Sequence, residues 1–248
     1  MELQLRRLLC KIGRRMYTSG LVVACEGNLS IRLAPDRILA TPAGVCKGDL
    51  APSDLVVTDL SGAVVRGTAK PSSEIRMHLL FYQLRPDVAG VCHAHPPMAT
   101  AFAVAGRALD QAVLPEVVAG LGKIPLAPYG TPGTLEICRG VEPLAAKYDA
   151  ILLESHGVVT CGPDLTTAYQ RLETVEQLAR IVLAAESLGG PRLLRREEVQ
   201  KLIAAKERHE AVPPNRPSEL PLALRLKART ATAWRLRSCR PRGVERLM

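Results

Sequence analysis

The stretch VAGVCHAHPP, at residues 88–97, reads as a buried strand that runs directly into two prolines. Since alternate residues of a strand point to the same face, His93 and His95 can reach one ion. His156, in ESHG, follows a second apolar strand predicted at 150–155. Three imidazoles leave one coordination position free for water or substrate, as in catalytic zinc sites. We therefore predict a metal site at these histidines, with zinc as the first choice; another divalent transition metal would also suit imidazole.

Short runs rich in β-branched residues lie on the N-terminal side of this stretch, separated by Gly, Pro, Asp and Asn. They predict strands at 21–24, 29–33, 37–41, 55–59 and 63–65. Turn residues at such close intervals are typical of a meandering, largely antiparallel sheet.

Helical periodicity alternates with these strands along the whole chain. It predicts helices at 2–17, 73–84 with Ser72 as N-cap, near 97–105, after Thr134, at 165–188 with Asp164 as N-cap, and at 196–209. Strands and helices mix without a repeating βαβ period. This favours an α+β fold or a three-layer α/β/α sandwich around the sheet.

The charge divides the 248 residues into two parts. Residues 211–248 carry nine Arg and Lys against two acidic residues, whereas residues 1–210 carry 24 against 22, within a net charge of +9. Four prolines open the basic segment and prevent a helix from continuing into it. We predict a catalytic domain at 1–210 and a basic, Pro-rich, poorly ordered tail at 211–248. No nucleic acid is expected to bind the nearly neutral body, while docking of the tail to RNA, a membrane surface or a partner stays open.

Composition also indicates the cellular compartment of the protein. A hydrophobic fraction of 47% suffices for a packed core. No run approaches the ~18 apolar residues of a membrane span, and the charged N-terminus does not resemble a secretory signal. Seven cysteines are scattered without a CxxC pair. Such usage predicts reduced thiols and a cytoplasmic protein.

A carboxylate stands at the start of the helix that precedes the histidine strand. Glu74, in KPSSE, either compensates the helix dipole or serves a metal site as ligand or general acid/base. Ser72 and Ser73 at the same helix start, with free backbone N–H groups, could cradle a phosphate. Asn28 in GNLS and Gly44 in TPAG are turn residues that could donate to the same anion.

Six segments together resemble the class II aldolase/adducin family: GNLSIR, ATPAG, KPSSE, CHAHPP, LAPYGTPGT and LLESHGVV. The resemblance covers roughly residues 1–205 and is nearest to the L-fuculose-phosphate aldolases. It implies a three-layer α/β/α fold and a homotetramer with active sites at subunit interfaces. It also implies that the three histidines bind zinc, and that Glu74 is the catalytic acid/base and contacts the resting metal. Asn28, Gly44, Ser72 and Ser73 match phosphate-binding positions.

The resemblance implies cleavage of a ketose 1-phosphate, similar to fuculose 1-phosphate, to dihydroxyacetone phosphate and an aldehyde. Other chemistries of the family stay open: pentulose-phosphate 4-epimerase, methylthioribulose-phosphate dehydratase and sugar-acid phosphate decarboxylase. The epimerases typically carry Asp where this chain has Glu74. An adducin-like scaffold is disfavoured because it needs no converging imidazoles.

Four positions depart from the aldolase pattern and leave the aldehyde specificity open. Cys25 and Ala43 stand near the expected phosphate site, where the aldolases have threonine. Leu114 stands where they have a tyrosine that acts on the aldehyde half. Glu116, two residues on, is either a substitute acid or an ordinary surface carboxylate.

Overall fold

We describe the protein from a computed structural model. A mixed sheet forms its middle layer. The structure describes residues 1–211, and side chains through 206; beyond Ala211, the predicted tail lies outside the described residues. Residues Met1–Lys206 form one compact unit.

The sheet has the strand order β4-β3-β2-β1-β5-β8-β7-β6 within the described residues. Neighbouring strands are antiparallel except β6 and β7, which run parallel. Its strands are β1 (Asn28–Ala34), β2 (Arg37–Ala40), β3 (Val56–Thr58), β4 (Val64–Arg66), β5 (Gly90–Ala94), β6 (Leu126–Ala127), β7 (Ala150–Leu153) and β8 (Gly157–Gly162). The predicted, largely antiparallel sheet is thus confirmed.

Helices cover both faces of the sheet. They are α1 (Glu2–Thr18), α2 (Ile75–Leu84), α3 (Pro97–Val104), α4 (Pro115–Gly120), α5 (Leu135–Ala145), α6 (Leu165–Ser187) and α7 (Arg196–Ala211). Residues of α1, α3 and α6 pack into one hydrophobic cluster, and those of α2 and α5 pack into another. The three-layer α/β/α sandwich is confirmed.

The alternation of side chains along β1 explains how the two layers are separated. Leu29 and Ile31 enter the cluster of α1 and α6, whereas Asn28 and Ser30 contact polar side chains at the α2 layer. The apolar residues secure the sheet to one layer by burial. The polar residues on the other face are therefore free to build a site.

Two local predictions are wrong. Residues 21–24 are not a strand: Leu21 and Val22 are buried, Val23 is exposed, and Ala24 has φ 47°. The backbone bends at Leu21 and Val22 and turns at Ala24, so a β-branched run alone does not make a ladder. Helix α2 starts at Ile75 rather than Ser73, and Glu74 is its N-cap residue instead of Ser72.

Other boundaries agree closely with the sequence. Asp164 caps α6 as predicted, because its Oδ1 accepts the Thr167 N–H at 2.7 Å. Strand β8 and helix α4 were not predicted, since the turn signals around 155–157 and the short apolar run 114–118 are ambiguous. Among residues 1–211, no helix combines the length and apolar character needed to cross a membrane.

Candidate active site

Strands β5, β7 and β8 bring the three predicted histidines together. His93 lies within β5 and pairs with Val159 of β8, and His95 follows the end of β5. His156 lies in the short turn from β7 to β8, where Ser155 has φ 54°. Because β5 and β8 are neighbours, this turn sets His156 beside the other two rings. A residue in the left-handed region is frequent where a turn serves a functional site.

The three imidazoles form a tight cluster. Their ring centroids are 4.9 Å apart for His93 and His95, 4.7 Å for His93 and His156, and 4.8 Å for His95 and His156. One ligand nitrogen from each ring lies within 4.8 Å of the others. Nitrogens at this separation can share a single ion.

Hydrogen bonds on the outer nitrogens orient two of these rings. His93 Nδ1 donates to the Val158 carbonyl at 2.9 Å, and His95 Nδ1 donates to Glu26 Oε2 at 3.1 Å. In a neutral ring the opposite nitrogen then carries a lone pair. The Nε2 atoms of His93 and His95 face each other at 3.1 Å. Two lone pairs at that distance repel unless a cation lies between them.

Glu74 closes the cluster from the N-terminus of α2. Its Oε2 lies 3.2 Å from His93 Nε2, and its Oε1 lies 3.3 Å from His156 Nε2. Asn28 Nδ2 donates to Oε2 at 2.9 Å and fixes the carboxylate. Glu74 Oε1 and Asn28 Oδ1 are buried without a hydrogen-bond donor among the described residues. Buried oxygens in that state are available to a ligand.

The charges of the cluster are coupled. Burial opposes ionisation of Glu74, but the imidazoles of His93 and His156 hold the pKa of its carboxyl well below the usual range. Burial would lower the pKa of His93, yet the Glu74 carboxylate outweighs it and raises that pKa. Burial and the charge on His93 lower the pKa of His156 to about 4, and they also lower that of His95. Glu74 and His93 thus stabilise each other's charged forms, whereas burial and neighbouring charge disfavour the charged forms of His95 and His156.

A divalent transition metal fits this donor set. Neutral imidazole nitrogens with hydrogen-bonded outer positions are the ordinary ligands of zinc and its neighbours. One cation in place of the His93 proton would accept the Nε2 lone pairs of His93 and His95 and would satisfy Glu74 Oε1. His93, His95 and His156, with Glu74 beside them, could therefore hold the metal.

A cavity of about 210 Å³ opens next to the histidine cluster. The structure brings to its wall every residue predicted for phosphate binding. The lining comprises Cys25, Glu26, Gly27, Asn28, Pro42, Ala43, Gly44, Lys47, Ser72, Ser73, Glu74 and His95. It therefore joins the metal end, at His95 and Glu74, to a loop end around Gly44 and the serines.

Two glycines of the loop end meet different requirements. At Gly27, φ is +69° and a Cβ would lie 2.6 Å from Val22 Cγ1 and 2.8 Å from the His93 carbonyl oxygen. No side chain fits there, so the loop before β1 can pass directly over the histidine strand. Gly44 has φ +71° but open space around it. Glycine is favoured at this position only because of the left-handed backbone conformation.

Sequence reasoning missed three residues of this region. Gly27 is the first residue of GNLS, and the presence of glycine in that motif could have identified this position from the sequence. Glu26, the hydrogen-bond partner of His95, and Lys47, buried in the cavity wall, follow no periodicity. Their roles depend on loops that only the folded chain brings together.

A buried polar network runs behind Glu74, between β1 and α2. Ser30 Oγ lies 2.7 Å from His78 Nδ1 and 2.8 Å from the Tyr82 hydroxyl. Burial lowers the pKa of His78 to about 3, so this imidazole is neutral. Glu74, His78 and Tyr82 recur every four residues and therefore lie on one face of the helix. The network fixes the helix that presents Glu74 to the histidines.

The positions that depart from the aldolase pattern fall into two groups. Cys25 and Ala43 line the cavity, as expected for positions near an anion. Leu114 and Glu116 instead line a separate surface groove against α6. Within one copy of the chain, the structure does not bring Glu116 to the histidine cluster.

Comparison with known proteins finds relatives whose names describe sugar-phosphate enzymes. Residues 7–183 match the family described as Class II Aldolase and Adducin N-terminal domain. The chain is 37% identical over 171 residues to an L-fuculose phosphate aldolase of Methanococcus maripaludis, covering 69% of this chain and 92% of that protein.

A second relative carries a different activity in its name. The chain is 34% identical over 185 residues to a 3-oxo-tetronate 4-phosphate decarboxylase of Pectobacterium atrosepticum, covering 73% of this chain and 84% of that protein. Among solved structures, an L-fuculose 1-phosphate aldolase superposes with a TM-score of 0.77 at 31% identity, covering 82% of this chain and 96% of that one. The fold is thus shared, and two lyase activities occur among the relatives.

Proposed function

The chain belongs to the class II aldolase/adducin family and is an enzyme of the lyase class, and from that premise we propose that it is a zinc-dependent aldolase. Its substrate would be a ketose 1-phosphate similar to fuculose 1-phosphate. The products would be dihydroxyacetone phosphate and an aldehyde. One observation carries the proposal: Glu74 faces both His93 and His156 and lines a cavity whose wall also contains Gly44, Ser72 and Ser73.

The residues expected to hold the metal are His93, His95 and His156, with Glu74 as a further contact before substrate arrives. Bound there, the metal would supply Lewis-acid stabilisation of the negative charge that develops on the substrate. Zinc is preferred because three imidazoles with one open position are typical of its catalytic sites.

Glu74 would move the proton that the reaction needs. In the cleavage direction the C4 hydroxyl gives up its proton and becomes the aldehyde as the C3–C4 bond breaks; the electron pair of that bond stays on C3, which then gains a proton. Asn28 holds Glu74 Oε2, so Oε1, which has no donor among the described residues, is the atom free to carry that proton. In the aldol direction the same oxygen would remove it.

The loop end would hold the phosphate away from the reacting carbons. Asn28, Gly44, Ser72 and Ser73 are the proposed contacts, through side-chain donors and the backbone at the start of α2. Binding energy from this unreactive group would orient the C3–C4 bond towards Glu74.

A substrate panel tests this function directly. The zinc-loaded protein is offered several ketose 1-phosphates, and dihydroxyacetone phosphate is followed by a coupled dehydrogenase assay. We expect its release from at least one member, and no release by the Glu74→Gln variant. Turnover of the panel by epimerisation or dehydration, without dihydroxyacetone phosphate, would contradict the aldolase assignment.

Decarboxylation of a sugar-acid phosphate is the second candidate. It is favoured by the similarity to the decarboxylase of P. atrosepticum, which nearly equals the similarity to the aldolase. Both reactions leave negative charge on carbon beside an oxygen that a metal can stabilise. Adding a 3-oxo sugar-acid phosphate to the panel and measuring CO₂ release separates the two.

Three further properties belong to the same proposal. The enzyme is expected to be cytoplasmic and a homotetramer, which sedimentation equilibrium would establish. The segment 211–248 is expected to lie outside the catalytic domain 1–210. Deleting it should leave zinc content and turnover within about twofold of the full chain; loss of either would show that the tail serves the site.

A further inference from the structure

Lys47 is a buried cation in the wall of the cavity. Its residue surface is 1% exposed, and it lies in the loop between β2 and β3. Its Nζ donates to the Cys25 carbonyl at 2.9 Å and to the Val45 carbonyl at 2.5 Å. The lysine therefore joins the loop before β1 to the loop after β2, and both loops line the cavity.

Among residues 1–206, no carboxylate forms an ion pair with Lys47, whose Nζ contacts these two carbonyls. The two acids in the cavity wall are already engaged: Glu26 contacts His95, and Glu74 contacts His93 and His156. Burial lowers the pKa of Lys47. A buried charge without a counter-charge is costly, and an arriving anion would remove that cost.

The ammonium group has three protons, and the two carbonyls account for two of them. Gly44 and the serines at the start of α2 line the same cavity and can offer only neutral donors to an anion. Of residues 1–206, Lys47 is the one lysine or arginine in that lining.

We propose that Lys47 provides the positive charge that binds the dianionic group of the substrate, and so selects phosphorylated over unphosphorylated sugars. This rests on the proposed function for the phosphate-bearing substrate class. It adds a charged contact to a cradle otherwise made of neutral groups. A purely structural lysine, tying the two loops together, is the competing explanation.

The test measures binding of inorganic phosphate to the zinc-loaded full chain by isothermal titration calorimetry at constant ionic strength. Lys47→Met removes the charge at nearly constant length, and Lys147→Met makes the same change at an exposed lysine. We expect Lys47→Met to weaken phosphate binding by about 10- to 100-fold, as for the loss of a hydrogen bond to a charged group, and Lys147→Met to weaken it less than twofold. Zinc content, read by elemental analysis, should be unchanged in both.

Phosphate affinity within twofold of wild type in a folded Lys47→Met protein would overturn the proposal, and so would a wild-type protein that binds no phosphate. Lys47→Gln, which keeps a donor but not the charge, serves as the second variant and should lose the same affinity. If neither variant folds, the lysine serves the fold rather than the ligand and the proposal fails. Because phosphate binding needs no turnover, a failed aldolase assay would leave this result standing.

Discussion

The two ends of the cavity are built by different means. At the histidine end, side chains from β5 and the β7–β8 turn converge, and a backbone carbonyl and a carboxylate hold the outer nitrogens of His93 and His95. At the loop end, glycines, serines and one lysine come from loops that join the strands. Strand pairing positions the first set, whereas the second depends on backbone conformations that few residues adopt. His93 thus lies on a strand, and His95, His156 and Glu74 lie at the ends of regular elements.

The largest effect is expected from removing a histidine ligand. His93→Ala should lose bound zinc and, with it, turnover by a factor on the order of 10⁴ or more, because metal and site are lost together. Elemental analysis and the aldolase assay measure the two losses.

His78 offers a matched control for that variant, since it is equally buried but hydrogen bonds to Ser30 behind the site. His78→Gln should keep one zinc per subunit. One zinc per subunit retained by His93→Ala would mean that the metal lies elsewhere.

Glu74→Gln is expected to separate chemistry from metal binding. The amide keeps the shape of the side chain but cannot carry the proton, so turnover should fall by about 10²–10⁴-fold, the usual contribution of a general acid/base. Zinc content should stay at the wild-type level because the three imidazoles remain.

Glu26→Gln is the comparison variant, because Glu26 contacts His95 from outside the cluster. Its effect should be smaller, about tenfold, as for groups that orient a metal ligand. A larger loss of turnover in Glu26→Gln than in Glu74→Gln would mean that Glu26 is the general acid/base and that Glu74 only orients the site.

The smallest effect concerns the loop end and compares two glycines. Gly27→Ala combines a left-handed φ with a Cβ 2.8 Å from the His93 carbonyl, so it should lower the free energy of unfolding by about 2–4 kcal/mol. Gly44→Ala meets open space and should cost only about 1 kcal/mol from its backbone.

Urea unfolding measures both glycine variants. Equal losses of unfolding free energy would show that the close packing of Gly27 over the histidine strand does not contribute to stability. The loop end would then be stabilised independently of the histidine end.

The sequence predicted the histidine end better than the loop end. His93, His95 and His156 stand where strand periodicity and apolar flanks indicate a shared face, and the structure brings them together. Glu74 was placed in the first turn of a helix, two positions from its true place as the N-cap residue. By contrast, residues 21–24 were predicted as a strand, although a left-handed Ala24 turns them into the loop over β5.

By itself, the sequence determined the layers of the fold, the three clustered histidines and the family, because hydrophobic periodicity and short motifs are local properties of the chain. Only the tertiary structure decided that Glu26 orients His95, that Lys47 is buried without a carboxylate partner, and that His78 lies behind Glu74. Each of these contacts joins segments 20 or more residues apart in the chain, or sets a side chain against a neighbouring layer. Such contacts follow from packing, and no local pattern records them.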